Sequence, residues 1–189
     1  MKELILASTS PRRHELLSSL NVKFRTVTPS FDESKFVLSA DPKSVETLSL
    51  HKAKSVCKNL TVSALVVGAD TVVICEDKIL GKPKTRDEAY KMLKNLSGKT
   101  HHVITGIGIA DTETGKEYTG HAVTYVTFND LSDKQIFDYI DGKKPYDKAG
   151  AYGIQELPDG FVKNVDGETD NVIGLPTKIL IKLLQTVSK

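Results

Sequence analysis

The sequence has 189 residues, enough for one domain with a sizeable core. Its 26 basic and 24 acidic residues leave a net charge of +2, too even to predict binding to nucleic acid or to a membrane surface by bulk charge. There is no signal-peptide pattern and no apolar run of membrane-spanning length. Cys57 and Cys75 lack metal-site spacing, which favours a reduced, cytoplasmic compartment. We therefore expect a single domain over residues 1–189 in the cytoplasm.

The first predicted elements are a strand and a helix that meet at a polar junction. Leu4 to Ala7 is a short apolar run typical of a buried strand. Ser10 suits the N-cap of a following helix and Pro11 its first position. The hydroxyls of residues 8–10 and two arginines, Arg12 and Arg13, line this helix start, where free N–H groups and a guanidinium favour a phosphate. A capped helix with exposed arginines is the alternative, and these residues alone do not exclude it.

A strand and a second helix are predicted next. Val22 to Val27 alternates as a half-buried strand does. A polar segment containing Asp32-Glu33 follows, and Asp41-Pro42 opens a helix whose apolar residues keep helical spacing. Lys52 and Lys54 on this helix would ordinarily be interpreted as a solvated face.

The strongest strand signal is the run Ala64 to Cys75, in which apolar and β-branched residues predominate. It predicts a buried central strand. Gly68 and the alanine after it would let a second backbone or a ligand approach closely. Asp70 follows them, and a buried carboxylate is costly unless it is paired, hydrogen-bonded or bound to a metal. The simpler interpretation is that Asp70 only bonds a neighbouring turn.

After this strand, a hairpin is expected to return Lys82 towards the end of the sheet, extended because a proline follows. A helix from Thr85 to Gly98 begins with a capping-box pattern. Two long strands, about Thr100 to Ala110 and Lys116 to Phe128, come next. The glycines at 106 and 108 lack the spacing of a dinucleotide-binding loop and are expected to relieve crowding in a bent strand.

The last third combines helices with a loop rich in small residues. A capped helix is predicted from Ser132 to Gly142. Asp147 to Gln155 has no regular period and has the composition of a loop that approaches a ligand. Asp166-Gly167 predicts a hairpin turn before a strand at Thr169–Ile173, and a helix from Leu175 to about Val187 follows. Hairpins together with strand–helix alternation predict a mixed α/β sheet flanked by helices.

Five motifs together resemble the Maf family of nucleoside triphosphate pyrophosphatases, in the family's order and over residues 4 to about 176. They are Ser8–Arg13, Gly68–Val72, Gly81–Pro83, Leu96–Gly98 and Asp147–Gln155. The resemblance implies a long curved sheet and a cleft between two lobes, a fold related to the inosine triphosphate pyrophosphatases. It also implies hydrolysis of a nucleoside triphosphate to the monophosphate and pyrophosphate, with a divalent metal (Mg or Mn).

The resemblance also implies roles for particular residues. Asp70 is the expected catalytic carboxylate, acting as a base or as a metal ligand together with Glu33. The expected substrate-binding residues are Ser8, Arg13, Lys52, Thr71, Lys82 and Gln155. Cations and backbone N–H donors are what cleavage of a triphosphate needs, because most of the catalysis is positioning and electrostatic stabilisation.

The residues Arg13, Thr71 and Gln155 are similar to those of the subgroup that acts on dTTP and UTP. The Gln155 amide suits a pyrimidine edge because it both donates and accepts. Two alternatives remain at this stage: hydrolysis of 7-methyl-GTP, and a non-enzymatic role in regulating septum formation. The family resemblance further implies a homodimer.

Overall fold

The computed structural model describes residues 2–33 and 36–187. The strands in these ranges are β1 (Glu3–Ala7), β2 (Arg25–Val27), β3 (Ala64–Cys75), β4 (Lys78–Leu80), β5 (Thr100–Asp111), β6 (Glu117–Phe128) and β7 (Val162–Asp166). The helices are α1 (Pro11–Ser18), α2 (Pro42–Cys57), α3 (Arg86–Leu96), α4 (Asp133–Lys143), α5 (Thr169–Ile173) and α6 (Thr177–Val187). None of the described helices is long and apolar enough to cross a membrane.

The strands form one mixed sheet in the order β2-β1-β3-β5-β6-β7, with β4 paired to β3. β1 runs parallel to both β2 and β3, whereas the β3–β4 and β6–β7 pairs are antiparallel. The prediction of a mixed α/β fold is confirmed. Ala64–Cys75 is a strand over its whole predicted length, in the interior of the sheet.

The chain divides into two compact units. The first comprises the residues up to 71, residues 105–122 and those from 174 onwards, and the second comprises 72–104 and 123–173. Each unit has its own apolar core. Leu6, Leu17 and Ile107 are fully buried in the first, and Leu93 and Phe161 are at most 1% exposed in the second. The single-domain organisation and the cleft stay predictions.

Two predicted helix features are only partly correct. α4 has the expected capping box but ends at Lys143, because Lys144 adopts a left-handed conformation and caps the helix. In α3, Thr85 accepts a hydrogen bond from the Glu88 N–H, but the Glu88 carboxylate accepts from the Lys84 N–H instead of closing the box.

The predicted strand at Thr169–Ile173 is wrong, because these residues form α5. The Asp166-Gly167 turn signal depends on two neighbouring residues, whereas the hydrogen bonds of the buried Asn171 side chain favour a helix here. Asn171 is fully buried and donates to the Val103 carbonyl at 3.0 Å and to the Thr124 hydroxyl at 2.9 Å. Helical backbone at this point lets the Asn171 side chain bond two buried acceptors. Leaving a buried acceptor without a hydrogen bond would cost free energy.

Candidate active site

The start of α1 is built as a network of hydroxyl caps. Ser8 follows β1, is 7% exposed and accepts a hydrogen bond from the Ser10 N–H at 3.1 Å. Ser10 is the N-cap, accepting from the Arg13 N–H at 3.5 Å, and Pro11 begins the helix. These contacts fix the direction in which α1 leaves the sheet. They confirm the predicted cap, and they orient Arg13 within the first turn.

Arg13 joins three distant parts of the first unit. Its Nε donates to the Gly174 carbonyl at 2.8 Å and its Nη2 to the Thr71 hydroxyl at 3.2 Å. The Thr71 and Thr105 hydroxyls are 2.9 Å apart. Gly174 has φ +124°, and a Cβ there would lie 3.2 Å from the Thr71 hydroxyl oxygen and 3.5 Å from the Arg13 Nε. The absent side chain therefore makes room for the guanidinium.

The neighbouring charge of Asp70 also favours the Arg13 guanidinium at this position. Removal from water lowers the pKa of the Arg13 guanidinium, and the neighbouring Asp70 carboxylate partly opposes that change. An arginine remains charged in proteins despite such a shift. The first unit thus holds a permanent cation beside Asp70.

Helix α2 lies close against the sheet because three glycines leave space for its backbone. A Cβ at Gly68 would be 2.1 Å from the Ser49 carbonyl oxygen. At Gly106 it would be 2.6 Å from the Val45 carbonyl, and at Gly108 it would be 2.4 Å from the Leu50 Cα. The glycines of β5 were expected to relieve strand crowding. Their role is close approach of α2, which brings Lys52 over β3.

Lys52 forms the centre of an ion-pair cluster. Its ammonium bonds the Asp70 carboxylate and lies 3.0 Å from Oε1 of Glu33. The Lys52 side chain is 7% exposed, Asp70 13% and Glu33 58%. The solvated-face interpretation of Lys52 is therefore wrong, and so is the interpretation that Asp70 only bonds a turn. A buried ammonium needs such partners, because an unpaired one would be strongly destabilising.

Lys82 and Gln155 belong to the second unit. Both are exposed, and neither side chain makes a hydrogen bond or ion pair with another described residue. The Gly150 N–H donates to the Gly81 carbonyl at 3.0 Å, so the segment carrying Lys82 is bonded to the loop carrying Gln155. The expectation that these two side chains act together with the first-unit residues stays a prediction.

Comparisons with known proteins identify the family of this chain. A family model described as Maf-like protein matches residues 3–187. The chain belongs to the Maf-like protein family. A relative from Alkaliphilus oremlandii (strain OhILAs) is 49% identical over 93% of this Maf-like chain and 91% of its own. One from Thermoanaerobacter sp. (strain X514) is 46% identical over 97% and 95%, and one from Geobacillus sp. (strain WCH70) is 46% identical over 93% of each chain. All three are described as dTTP/UTP pyrophosphatase.

A solved structure supports the fold of this Maf-like protein. The structure of a HAM1 protein from Coxiella burnetii matches with a TM-score of 0.52, covering 98% of this chain and 100% of that one. The two sequences are 14% identical, so the likeness concerns the fold.

The donor set of the Maf-like site fits a hard divalent cation. Among the described residues there is no cluster of three or more His, Cys, Asp or Glu side chains that would hold a metal alone. Mg²⁺, however, is commonly bound by one or two carboxylates together with substrate phosphates. Glu33 and Asp70 converge on one cation, the Lys52 ammonium, and so provide two carboxylates at one place.

Two partners of the site were not foreseen from the sequence. They are the Gly174 carbonyl and the Thr105 hydroxyl. A glycine followed by a leucine and a proline indicates a turn, but nothing in that pattern identifies the side chain that the turn contacts.

Proposed function

We propose that this chain is a nucleoside triphosphate pyrophosphatase that hydrolyses dTTP and UTP to the monophosphate and pyrophosphate. The observation that carries the proposal is the cluster on β3, in which Lys52 holds Asp70 and the adjacent Thr71 holds Arg13. A carboxylate fixed beside a guanidinium provides a water-orienting group next to a phosphate-binding group. Membership of a family whose relatives carry this activity supports it.

The proposed chemistry begins with the Asp70 carboxylate. Lys52 contacts Oδ1, and Oδ2 accepts no hydrogen bond from a described residue. Oδ2 is thus available to take the proton of a water that attacks the α-phosphorus. The new bond joins the water oxygen to phosphorus, and the bond to the bridging oxygen breaks, releasing pyrophosphate. The ammonium of Lys52 keeps the carboxylate oriented through the step.

The remaining residues bind the substrate. A triphosphate carries about four negative charges, and the proposed cations for them are Arg13, Lys52 and Lys82. Ser8 is proposed to bind a phosphate oxygen at the start of α1. A divalent metal, Mg²⁺ or Mn²⁺, held by Glu33 and Asp70 would supply further positive charge when bound. Thr71 and Gln155 are proposed to distinguish the base.

The setting is proposed to be the cytoplasm, with the protein acting as a homodimer. Both cysteines are free, and burial raises the pKa of the Cys57 and Cys75 thiols, which keeps them protonated. Free thiols suit a reducing compartment. The dimer rests on the family resemblance, and light scattering of the purified protein tests it.

The reaction is tested by measuring pyrophosphate release from dTTP, UTP, dATP, dGTP and 7-methyl-GTP, with Mg²⁺, with Mn²⁺ and with a chelator. We expect dTTP and UTP to be cleaved fastest and the chelator to stop the reaction. The Asp70→Asn variant, purified identically, excludes a contaminating activity. Preference for 7-methyl-GTP would contradict the base assignment only, whereas release of phosphate without pyrophosphate would contradict the reaction.

A further inference from the structure

The loop from Asp147 to Glu156 is held in an unusual backbone conformation. Gly150 has φ +67° and Ala151 has φ +62°, and Ala151 is fully buried. A left-handed alanine costs about 1–2 kcal/mol, so its surroundings must determine the conformation. A Cβ at Gly150 would lie 3.0 Å from the Val73 Cγ1, which shows how closely this backbone packs on β3.

The loop is anchored by polar contacts at three successive places. The Gly150 N–H donates to the Gly81 carbonyl at 3.0 Å, and the Gly153 N–H donates to the Tyr139 hydroxyl at 3.1 Å. Between them, the Tyr152 hydroxyl lies 2.8 Å from the Nε2 of His101. All of these anchors precede Gln155. The backbone that follows Gln155 is held by a different contact.

Lys148 provides that support. It is 7% exposed, and its ammonium lies 2.8 Å from the Asp147 carboxylate and 3.2 Å from the Glu156 carboxylate. Its stem passes over Gly153, where a Cβ would be 2.9 Å from the Lys148 Cε. One buried side chain therefore connects the beginning of the loop to the residue that follows Gln155.

We propose that Lys148 is a positioning residue that fixes the Gln155 amide for reading the base, acting through Glu156. Gln155 is exposed and its side chain is bonded to no described residue, so its position depends on its backbone. The Lys148–Glu156 ion pair holds that backbone from the C-terminal side. This inference rests on the proposed function, because it assigns Lys148 to the selectivity of that reaction.

The alternative role for a buried lysine in this loop is direct binding of phosphate. The two roles differ in what a substitution changes. A phosphate contact is common to all triphosphates, so its loss lowers kcat/KM equally for every base. Loss of a positioning contact lowers kcat/KM for the correctly read base most, because a group misplaced by about 1 Å costs on the order of 100-fold.

The kinetic test compares Lys148→Met with Glu156→Gln and with the control Lys163→Met, an exposed lysine on β7. We expect kcat/KM for dTTP to fall roughly 10- to 100-fold in Lys148→Met, mainly through KM, and that for dGTP to fall less than about 3-fold. Glu156→Gln should shift selectivity in the same direction, and the control should not. In a Gln155→Ala background, Lys148→Met should add no further loss of selectivity. Equal losses for both triphosphates would overturn the proposal.

A second measurement does not depend on catalysis. Backbone hydrogen exchange of residues 153–156 should be faster in Lys148→Met than in the parent and in Lys163→Met. Asp147 and Glu156 are 62% and 34% exposed, so both carboxylates stay hydrated when the ammonium is removed, and the variant is expected to fold. Unchanged exchange would overturn the positioning role. If the parent releases no pyrophosphate from any triphosphate, the proposed function fails, while the exchange experiment still decides whether Lys148 orders the loop.

Discussion

The two compact units present their candidate functional groups in opposite ways. In the first, the ammonium of Lys52 and the guanidinium of Arg13 are bonded to protein groups. In the second, Lys82 and Gln155 are exposed and bonded to no other described side chain, and only the backbone around them is anchored. The first-unit cations Lys52 and Arg13 are thus paired within the protein, whereas the second-unit side chains of Lys82 and Gln155 are available to a ligand.

This difference predicts how stability and function are coupled in each unit. Removing a side chain from a bonded cluster leaves its partner without a hydrogen bond, which costs about 1–3 kcal/mol for a buried group. Removing an exposed, unpaired side chain leaves nothing uncompensated and usually changes stability by less than about 0.5 kcal/mol. Substitutions of Lys52 and Arg13 in the first unit should therefore affect both folding and catalysis, and those of Lys82 and Gln155 in the second should affect catalysis alone.

The largest expected effect is that of Asp70→Asn. The amide keeps the shape of the carboxylate but cannot accept the proton of an attacking water, so kcat for dTTP should fall by about 10²–10⁴-fold. Pyrophosphate release at saturating dTTP measures it, and calorimetric titration checks that nucleotide still binds. A variant that binds dTTP and turns over at nearly the parent rate would show that Asp70 has no such role.

The next prediction compares the loss of a lysine in the first unit with the loss of a lysine in the second. Lys52→Met removes the ion pair with Asp70, which is 13% exposed, and should lower the free energy of unfolding by about 1–3 kcal/mol. Lys82→Met should change that free energy by less than about 0.5 kcal/mol. Both should reduce kcat/KM for dTTP, because both remove a proposed phosphate-binding cation.

Urea unfolding at pH 7.5 measures the stabilities, with Lys163→Met as a control for loss of an exposed lysine. The contrast between the units would be wrong if Lys82→Met destabilised the protein as much as Lys52→Met. A loss of activity without loss of stability in Lys52→Met would mean that Asp70 finds another partner.

The sequence predicts β3 and the start of α1 well because their signals are local. A run of apolar and β-branched residues specifies a strand. Ser10 and Pro11 specify a helix start through contacts within one turn.

Helical spacing places Lys52 on the apolar face of α2, four residues after Leu48 and four before Val56, and this contradicts the solvated-face interpretation. The sequence does not predict how closely that face approaches β3, because this depends on Gly68, Gly106 and Gly108, which act as a set only after β3 and β5 are paired. The same holds for α5. An Asp-Gly pair is a strong local turn signal, but the buried hydrogen bonds of Asn171 come from residues far away in the chain.

The smallest predicted effect compares the two ends of β5, since His101 lies in the second unit and Asp111 in the first. Burial lowers the pKa of His101 from its ordinary 6.5 to about 4. For Asp111, burial acts to raise the pKa, but hydrogen bonds from Lys2, Thr114 and two backbone N–H groups outweigh it and lower the value to about 2.

The two groups therefore respond to acid in different ranges. The unfolded chain protonates His101 near pH 6.5 whereas the folded chain does so only near pH 4, so this stability is present above pH 6.5 and lost as the pH falls towards 4. The Asp111 contribution is present above pH 3.8 and is lost only as the pH falls towards 2. Mild acid should thus act on the histidine of the second unit while leaving the aspartate of the first unit unaffected.

Urea unfolding at pH 7.5 and pH 5 tests this difference. From the shift at His101 we expect the parent to lose about 1–2 kcal/mol of stability between these pH values. His101→Gln should reduce that loss, because glutamine takes up no proton, even if the variant is less stable at both pH values. His102→Gln, at the neighbouring position of β5 whose side chain is less buried, leaves His101 buried and, although His102 also contributes to the lowered pKa of His101, should retain most of the parent's loss. If His101→Gln loses as much stability as the parent, the acid sensitivity comes from other groups and does not distinguish the two units.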